Sequence, residues 1–183
     1  MLTHLPRLAA LLALAALAAC ATPADPQQMV AVPKPGSSAF PAPLSGGMCV
    51  GSVTGGVDTN PLWVSQVGNN EFRQALERSL AMHGLLAGPA PCRWQVDANL
   101  LGLSQPVVGL DLEVTSHINY TAAGPGQPPF LATTVSAPYT ATFSDHAIAV
   151  VRLKLANEGS IRRNIQIFLD QLRASRPQPQ APR

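Results

Sequence analysis

Five polar side chains are the best candidates for chemistry in this sequence, and they fall on two stretches that alternate polar with apolar residues. Asp97 and Asn99 lie in the first stretch, and Asp111, Glu113 and His117 lie in the second. Because alternate residues of a strand share a face, a hairpin of the two stretches would collect acid, base and carboxamide groups on one surface. Such a surface could hydrolyse a bond or hold a metal ion.

A solvated sheet face has the same pattern, because one side of an antiparallel sheet packs while the other meets water. The sequence contains neither the G-x-S-x-G motif of serine hydrolases nor the H-E-x-x-H motif of zinc peptidases. Cys49 and Cys92 have no second cysteine or histidine at ligand spacing. We therefore predict no catalytic residue, no metal and no cofactor, and keep a hydrolase or metal-dependent enzyme on this face as an alternative.

The first 20 residues have the parts of a secretory signal. Arg7 supplies positive charge, residues 8–16 form an Ala/Leu run, and Leu17-Ala18-Ala19 places small residues before Cys20. The run is too short for a mature membrane-spanning helix, which needs about 20 residues. We therefore expect this segment to be removed.

Leu17-Ala18-Ala19-Cys20 resembles a bacterial lipobox. The resemblance implies that residues 1–19 are a signal peptide, that Cys20 carries a thioether-linked diacylglyceryl group, and that its new amine is acylated, for example with palmitate. Two or three acyl chains hold a protein far more firmly than one. Ala21 stands where an aspartate would favour inner-membrane retention, so the resemblance favours a lipoprotein of the outer membrane that faces the periplasm. An ordinary secretory signal is the alternative.

Cys49 and Cys92 are the cysteines that remain beyond residue 20. In an oxidising envelope an isolated pair in one domain favours a disulfide, and the long stretch between them would let the bond constrain the unfolded chain. Two buried thiols are the main alternative, and metal ligands are a less favoured one.

Basic side chains outnumber acidic ones between residues 152 and 176: Arg152, Lys154, Arg162, Arg163, Arg173 and Arg176. A solvated helix face explains them, but beside anionic lipid they would also attract phosphate headgroups, because screened charges still act within about 8 Å. We predict Arg152, Arg162 and Arg163 as binding residues. The net charge of +2 is too small to predict nucleic-acid binding.

Trp63 lies in a predicted loop after the turn-rich segment 54–61. A tryptophan there can fold back onto its own domain or serve as an anchor for a partner. We predict Trp63 as a binding residue.

Hydrophobic periodicity predicts a two-layer α+β fold. We expect a short strand at residues 49–53, a helix at 70–83, a three-stranded antiparallel meander, and a long helix at 145–173 that packs on one sheet face. The second half of this last helix carries an apolar stripe. Its first half, residues 148–155, also alternates as a strand would, and we favour a helix with a kink near Gly159.

The alternation of apolar residues and the position of Pro138 predict the register and the edge of the meander. Leu100 opposite Leu112 would place both apolar sets on one side, with a bulge near Leu101 or Gly102. Pro138 cannot donate to a ladder, which places the last meander strand at an edge.

The composition divides the mature chain into a tether, a domain and a tail. Residues 20–47 are rich in proline and alanine, which predicts a disordered tether with a reach of roughly 80 Å at about 3.1 Å per residue. Residues 48–173 form a single domain of common size. Residues 174–183 are predicted to be a disordered tail.

Three segments resemble an uncharacterised family of proteobacterial lipoproteins across the mature domain: Thr54-Gly55-Gly56, Asn60-Pro61-Leu62-Trp63 and Ala156-Asn157-Glu158-Gly159-Ser160-Ile161-Arg162. No activity can be carried over from that family. The order of elements is also similar to lipopolysaccharide-assembly and transporter-auxiliary lipoproteins.

The similar order of elements implies an accessory lipoprotein in envelope assembly or in lipid or lipopolysaccharide transport. Its membrane contact would run through acylated Cys20, and its domain would bind a protein or lipid partner. The alternatives are the enzyme described above and a structural spacer.

Overall fold

The computed structural model describes residues 21–61, 64–89, 91–106 and 108–177. It has the predicted α+β architecture, in which two helices cover one face of a four-stranded sheet. The elements are a 3₁₀ turn at Ala42–Leu44, β1 at Met48–Thr54, α1 at Asn69–Met82, β2 at Trp94–Ser104, β3 at Leu112–Ala123, β4 at Leu131–Ala141 and α2 at Ala149–Ala174.

The strands lie in the order β1-β2-β3-β4. β1 runs parallel to β2, which requires the crossover that α1 provides, and the other pairs are antiparallel. β4 is an edge strand, as Pro138 predicted, and Pro138 lies opposite Thr115.

The predicted register of the β2–β3 hairpin is wrong. Leu100 lies opposite Ile118 rather than Leu112, while the predicted bulge is present between Leu100 and Gly102. The two registers differ by an even number of residues, so both place the same side chains on the core face. Alternation therefore determined the face of each strand but left its position along the partner open.

The core lies between the sheet and the helices. The predicted stripe of α2 is buried there: Ile161, Ile165, Phe168, Leu169 and Leu172. The ring of Tyr120 on β3 stacks on Phe168 at 4.2 Å between centroids and meets Phe72 of α1 edge-on at 6.4 Å. Burial raises the pKa of Tyr120 well above its ordinary value.

The long helix starts later than predicted and runs unbroken through Gly159, where a kink was expected. A Cβ at this position would overlap the ring of Tyr139 on β4. Gly159 is therefore present for close packing of the helix on the sheet, and the helical hydrogen bonds need no break there.

Residues 21–47, which we call the strap, are not the free tether that their composition predicts. Ala21, Ala24, Met29 and Ala31 are buried, and Met29 is 0% exposed. The strap lies in the gap between the helices, where alanines fit and a methionine fills the remaining space. Composition misled the prediction because the strap needs little apolar surface of its own when two helices supply the rest.

The strap is fixed to both helices by hydrogen bonds. The Ala31 amide donates to Ser79 Oγ of α1 at 3.0 Å, and the Asp25 amide donates to Glu158 Oε1 of α2 at 2.7 Å. Burial raises the pKa of Glu158, against the opposing effects of the Asp25 amide and of Lys154. The strap is thus part of the folded domain.

The predicted disulfide joins Cys49 to Cys92, with their Cα atoms 5.8 Å apart. It ties the start of β1 to the loop that leads into β2. In the part of the chain that the structure describes, no helix combines the length and the hydropathy needed to cross a bilayer. The predicted signal peptide, Cys20, Trp63 and the tail from residue 178 lie outside the described residues.

Candidate functional site

The polar face of the sheet separates the acidic groups on which the alternative enzyme hypothesis depends. Asp97 lies opposite Thr121, whereas Glu113 lies eight positions further along β3 and faces Thr140 of β4. At about 3.3 Å per residue these carboxylates are about 26 Å apart. The wrong hairpin register had brought them together.

Asp97 has a structural role between β1 and β2. Burial acts to raise its pKa, but hydrogen bonds from the Ser52 amide, from Gln95 Nε2 at 2.9 Å and from the Ser52 hydroxyl outweigh it, so the pKa of Asp97 is lowered. The carboxylate is therefore ionised at neutral pH and already engaged by its neighbours.

His117 links three strands on the same face. Its Nδ1 lies 2.8 Å from Ser136 Oγ of β4, and its Nε2 lies 3.2 Å from Ser104 Oγ of β2. A serine beside a histidine can become a nucleophile when a third group orients the base. Here both ring nitrogens of His117 contact serine hydroxyls, so two hydroxyls, rather than a carboxylate, orient the ring. Asp111 instead accepts a hydrogen bond from the Phe143 amide.

A metal site on this face is not indicated either. Among residues 21–61, 64–89, 91–106 and 108–177, no three histidine, cysteine or acidic side chains are grouped so that they could hold an ion. Asn99 faces Asn119 of β3 and contacts Thr54 Oγ1 at 3.2 Å.

Arg152 is not the surface contact that we predicted. It is 3% exposed and donates to the carbonyls of His146 and Ala147, each at 2.7 Å. Its guanidinium lies 5.3 Å from the centre of the Phe143 ring. The helix begins four residues later than predicted, and Arg152 folds back to satisfy the carbonyls of the loop that replaces the first turn.

Arg162 and Arg163 do lie at a groove. Arg162 donates to the Gln28 carbonyl of the strap and lies over the Tyr139 ring, and Arg163 is exposed and donates to the Pro138 carbonyl at 3.3 Å. With Lys34 of the strap they line a groove of about 350 Å³, which we call the basic groove.

Sequence reasoning missed the polar seam between α2 and the sheet. Ser160 Oγ accepts from the Ser116 amide and donates to the Ala137 carbonyl, both at 2.8 Å. One turn on, Asn164 Nδ2 donates to the carbonyls of Ser116 at 3.1 Å and Val135 at 2.9 Å. The signal was present in the sequence, since these polar residues are four apart within an apolar stripe.

The start of the strap defines one end of the molecule, which we call the anchor end. The Ala21 amide donates to the Pro61 carbonyl at 2.9 Å, and Ser65 Oγ donates to the Thr22 carbonyl at 2.9 Å. Ser65 in turn accepts from Gln105 in the β2–β3 loop. The ends of β1, β2 and β4 and the starts of β3, α1 and α2 lie at this end.

The anchor end carries an apolar groove of about 500 Å³, lined mainly by Val64, Pro106, Val108, Leu112, Ala149, Val150 and Leu153. Val108 and Leu110 in the adjoining loop are 85% and 74% exposed. Leu110 was predicted to lie in the sheet, but β3 begins two residues later.

Solved structures of the same fold exist. A Xanthomonas campestris protein of the DUF330 family is 14% identical, with a TM-score of 0.52, and the comparison covers 82% of this chain and 97% of that one. A hypothetical protein from Chlamydia trachomatis is 10% identical, with a TM-score of 0.50, covering 71% of this chain and 96% of its own. At these identities the similarity shows the fold alone.

A candidate lipoprotein from Caulobacter crescentus is 11% identical over 68% of this chain and 88% of its own, and its TM-score of 0.46 is too low to bear on the argument. No protein-family model and no curated protein matches the sequence. The comparisons thus show the fold, and the lipoprotein family stays a prediction.

Proposed function

We propose that this chain is a lipid-anchored protein of the outer membrane whose periplasmic domain binds a protein or lipid partner during envelope assembly or lipid transport, without catalysis. The lipobox-like Leu17-Ala18-Ala19-Cys20 carries the proposal, because acylation of Cys20 would fix the folded domain to a bilayer. The Cys49–Cys92 disulfide agrees with an oxidising compartment.

The basic groove is the binding surface that we propose for the partner. Lys34, Arg162 and Arg163 line it, and Val32 and the ring of Tyr139 add apolar surface. Arginine suits recognition of carboxylate and phosphate groups because its guanidinium offers several donors in one plane. A ligand with an anionic group next to an apolar part fits this groove.

Acylation is tested first, in cells that express the full chain. Globomycin should block processing of the precursor, and the mature protein should partition into the detergent phase of Triton X-114. Cys20→Ala should abolish both effects. Processing that is insensitive to globomycin, with the mature protein in the aqueous phase, would contradict the proposal.

Partner binding is tested by crosslinking in intact envelopes followed by pull-down. Arg163→Glu combined with Lys34→Glu should remove the crosslinked partner, whereas Arg93→Glu, exposed in the loop before β2 where it donates to the Ser45 carbonyl, changes charge away from the groove and should leave it. Equal crosslinking in both variants would refute the groove as the site. A chain that has no partner and no deletion phenotype would instead be a spacer.

A further inference from the structure

We propose that the anchor end rests directly on the lipid bilayer, with the side chains of Val108, Leu110, Phe143 and Ile148 in contact with the membrane interface. The inference rests on the proposed acylation of Cys20 and goes beyond it, because an anchored domain need not touch its membrane. It assigns one orientation to the whole domain.

The start of the strap places the anchor. Consecutive Cα atoms are about 3.8 Å apart, so Cys20 lies within one residue of Ala21. Ala21 is 4% exposed, and its amide donates a hydrogen bond to the Pro61 carbonyl. The Ala24 amide donates to the Gln66 carbonyl at 3.3 Å. A chain held this firmly has no slack to lift the domain, whereas the free tether that composition predicts would reach roughly 80 Å.

Exposed apolar side chains are concentrated at the same end. Among the residues that the structure describes, eight large apolar side chains are exposed, and six of them lie at or near the anchor end: Val57, Leu101, Val108, Leu110, Phe143 and Ile148. An exposed apolar patch on a soluble domain marks a contact with a partner or a membrane. Acyl chains attached next to Ala21 would bring a membrane to this patch.

Charge does not explain the contact. Arg152 is buried, and two acidic groups beside the exposed apolar side chains are engaged by the backbone: Asp111 accepts from the Phe143 amide at 3.0 Å, and Asp145 accepts from the Thr142 amide at 2.7 Å. Lys154 reaches Thr22 of the strap and Glu158 of its own helix. The contact should therefore be apolar, and added salt should leave it unchanged.

The orientation has a consequence for the basic groove. The strands extend from the anchor end to the opposite end of the sheet. Because β2 has 11 residues, the opposite end would stand about 35 Å from the lipid. Lys34 and Arg163 lie between the two ends, which would hold the groove at a set height above the membrane surface.

Fluorescence quenching tests the inference on mature, acylated protein reconstituted in phosphatidylcholine vesicles that contain dibrominated lipid. Leu110→Trp and Val108→Trp place a reporter at the anchor end, and Met82→Trp is the matched control, because Met82 is 54% exposed at the end of α1. The emission of unsubstituted protein is subtracted, which removes the signals of Trp63 and Trp94. Circular dichroism confirms that each variant is folded.

We expect the added emission of Leu110→Trp and Val108→Trp to fall by at least half, that of Met82→Trp to stay unchanged, and high salt to alter neither. Equal quenching at the two ends, or none at either, in protein whose mass includes the acyl groups would overturn this inference and leave the proposed function standing. A mature protein whose mass includes no acyl group would overturn both.

Discussion

The two ends of the sheet are built differently. At the disulfide end, Cys49 and Cys92 are bonded, and Trp94 packs edge-on against Phe130 with 5.1 Å between ring centroids. Trp94 Nε1 also donates to the Pro43 carbonyl of the strap at 2.9 Å. At the anchor end, Val108 and Leu110 are exposed beside an apolar groove.

The proposed orientation on the membrane would account for this difference. An end surrounded by water has to cover its apolar groups itself, and here a covalent bond and the second half of the strap do so. An end that rests on lipid can leave apolar side chains open, because the bilayer covers them. The same strap serves both ends, since it begins beside Pro61 and continues to Pro43.

Removal of the disulfide should have the largest effect on stability. Cys49 and Cys92 are 43 residues apart, and the chain-entropy relation for such a loop gives about 4 kcal/mol. We expect Cys49→Ala with Cys92→Ala to lower the free energy of unfolding in urea by roughly this amount. A loss below about 1 kcal/mol would mean that the disulfide end is closed by packing alone.

Met29 tests whether the strap is part of the core that joins the two ends. It is 0% exposed, so Met29→Ala should lower the free energy of unfolding by about 2–5 kcal/mol. Val32→Ala is the control, because Val32 is 53% exposed and should cost less than about 0.5 kcal/mol. If both variants lose a negligible free energy of unfolding in urea, residues 21–47 would be the disordered tether that composition predicts.

Glu158 tests the joint between the strap and α2 through pH. Burial raises its pKa above the ordinary 4.5, so the folded protein binds this proton more tightly than the unfolded chain does. Its contribution to stability is full below the unfolded pKa and is lost as pH rises through the folded pKa.

Glu158→Gln keeps an oxygen acceptor for the Asp25 amide but cannot titrate. We therefore expect the variant to gain stability relative to the natural protein as the pH rises from below 4.5 through the folded pKa of Glu158 in urea unfolding experiments. If the free energy of unfolding depends on pH in the same way for both proteins, the Glu158 carboxyl has the same pKa in the folded and unfolded chains.

The smallest effect is expected at the exposed apolar groups of the anchor end. Val108→Ser and Leu110→Ser should each change the free energy of unfolding by less than about 0.5 kcal/mol, because neither side chain is packed in the domain. A loss above about 2 kcal/mol in thermal or urea unfolding would mean that these side chains support the fold rather than face a membrane.

The sequence predicted the elements well and their spatial relations less well. The stripe from Ile161 to Leu172, the edge position of Pro138 and the bulge beside Gly102 follow from periodicity and from local backbone chemistry. The hairpin register did not, because an even shift leaves every side chain on its face.

The candidate site was harder to predict because it depends on contacts between distant segments. Nothing local marks Arg152 as buried, since its partners are the carbonyls of a loop that periodicity assigned to the helix. Likewise, Ala24 and Met29 are unremarkable in a proline-rich segment until α1 and α2 offer a gap between them. Cys20 and Trp63 lie outside the described residues and stay predictions.

Amide hydrogen exchange on the acylated protein in vesicles tests most directly whether the anchor is joined to the domain without slack. The amides of Ala21, Ala24 and Ala31 donate to Pro61, Gln66 and Ser79. We expect them to exchange far more slowly than a free chain and to be protected along with the domain. Exchange of all three at free-chain rates, while β2 stays protected, would contradict the account.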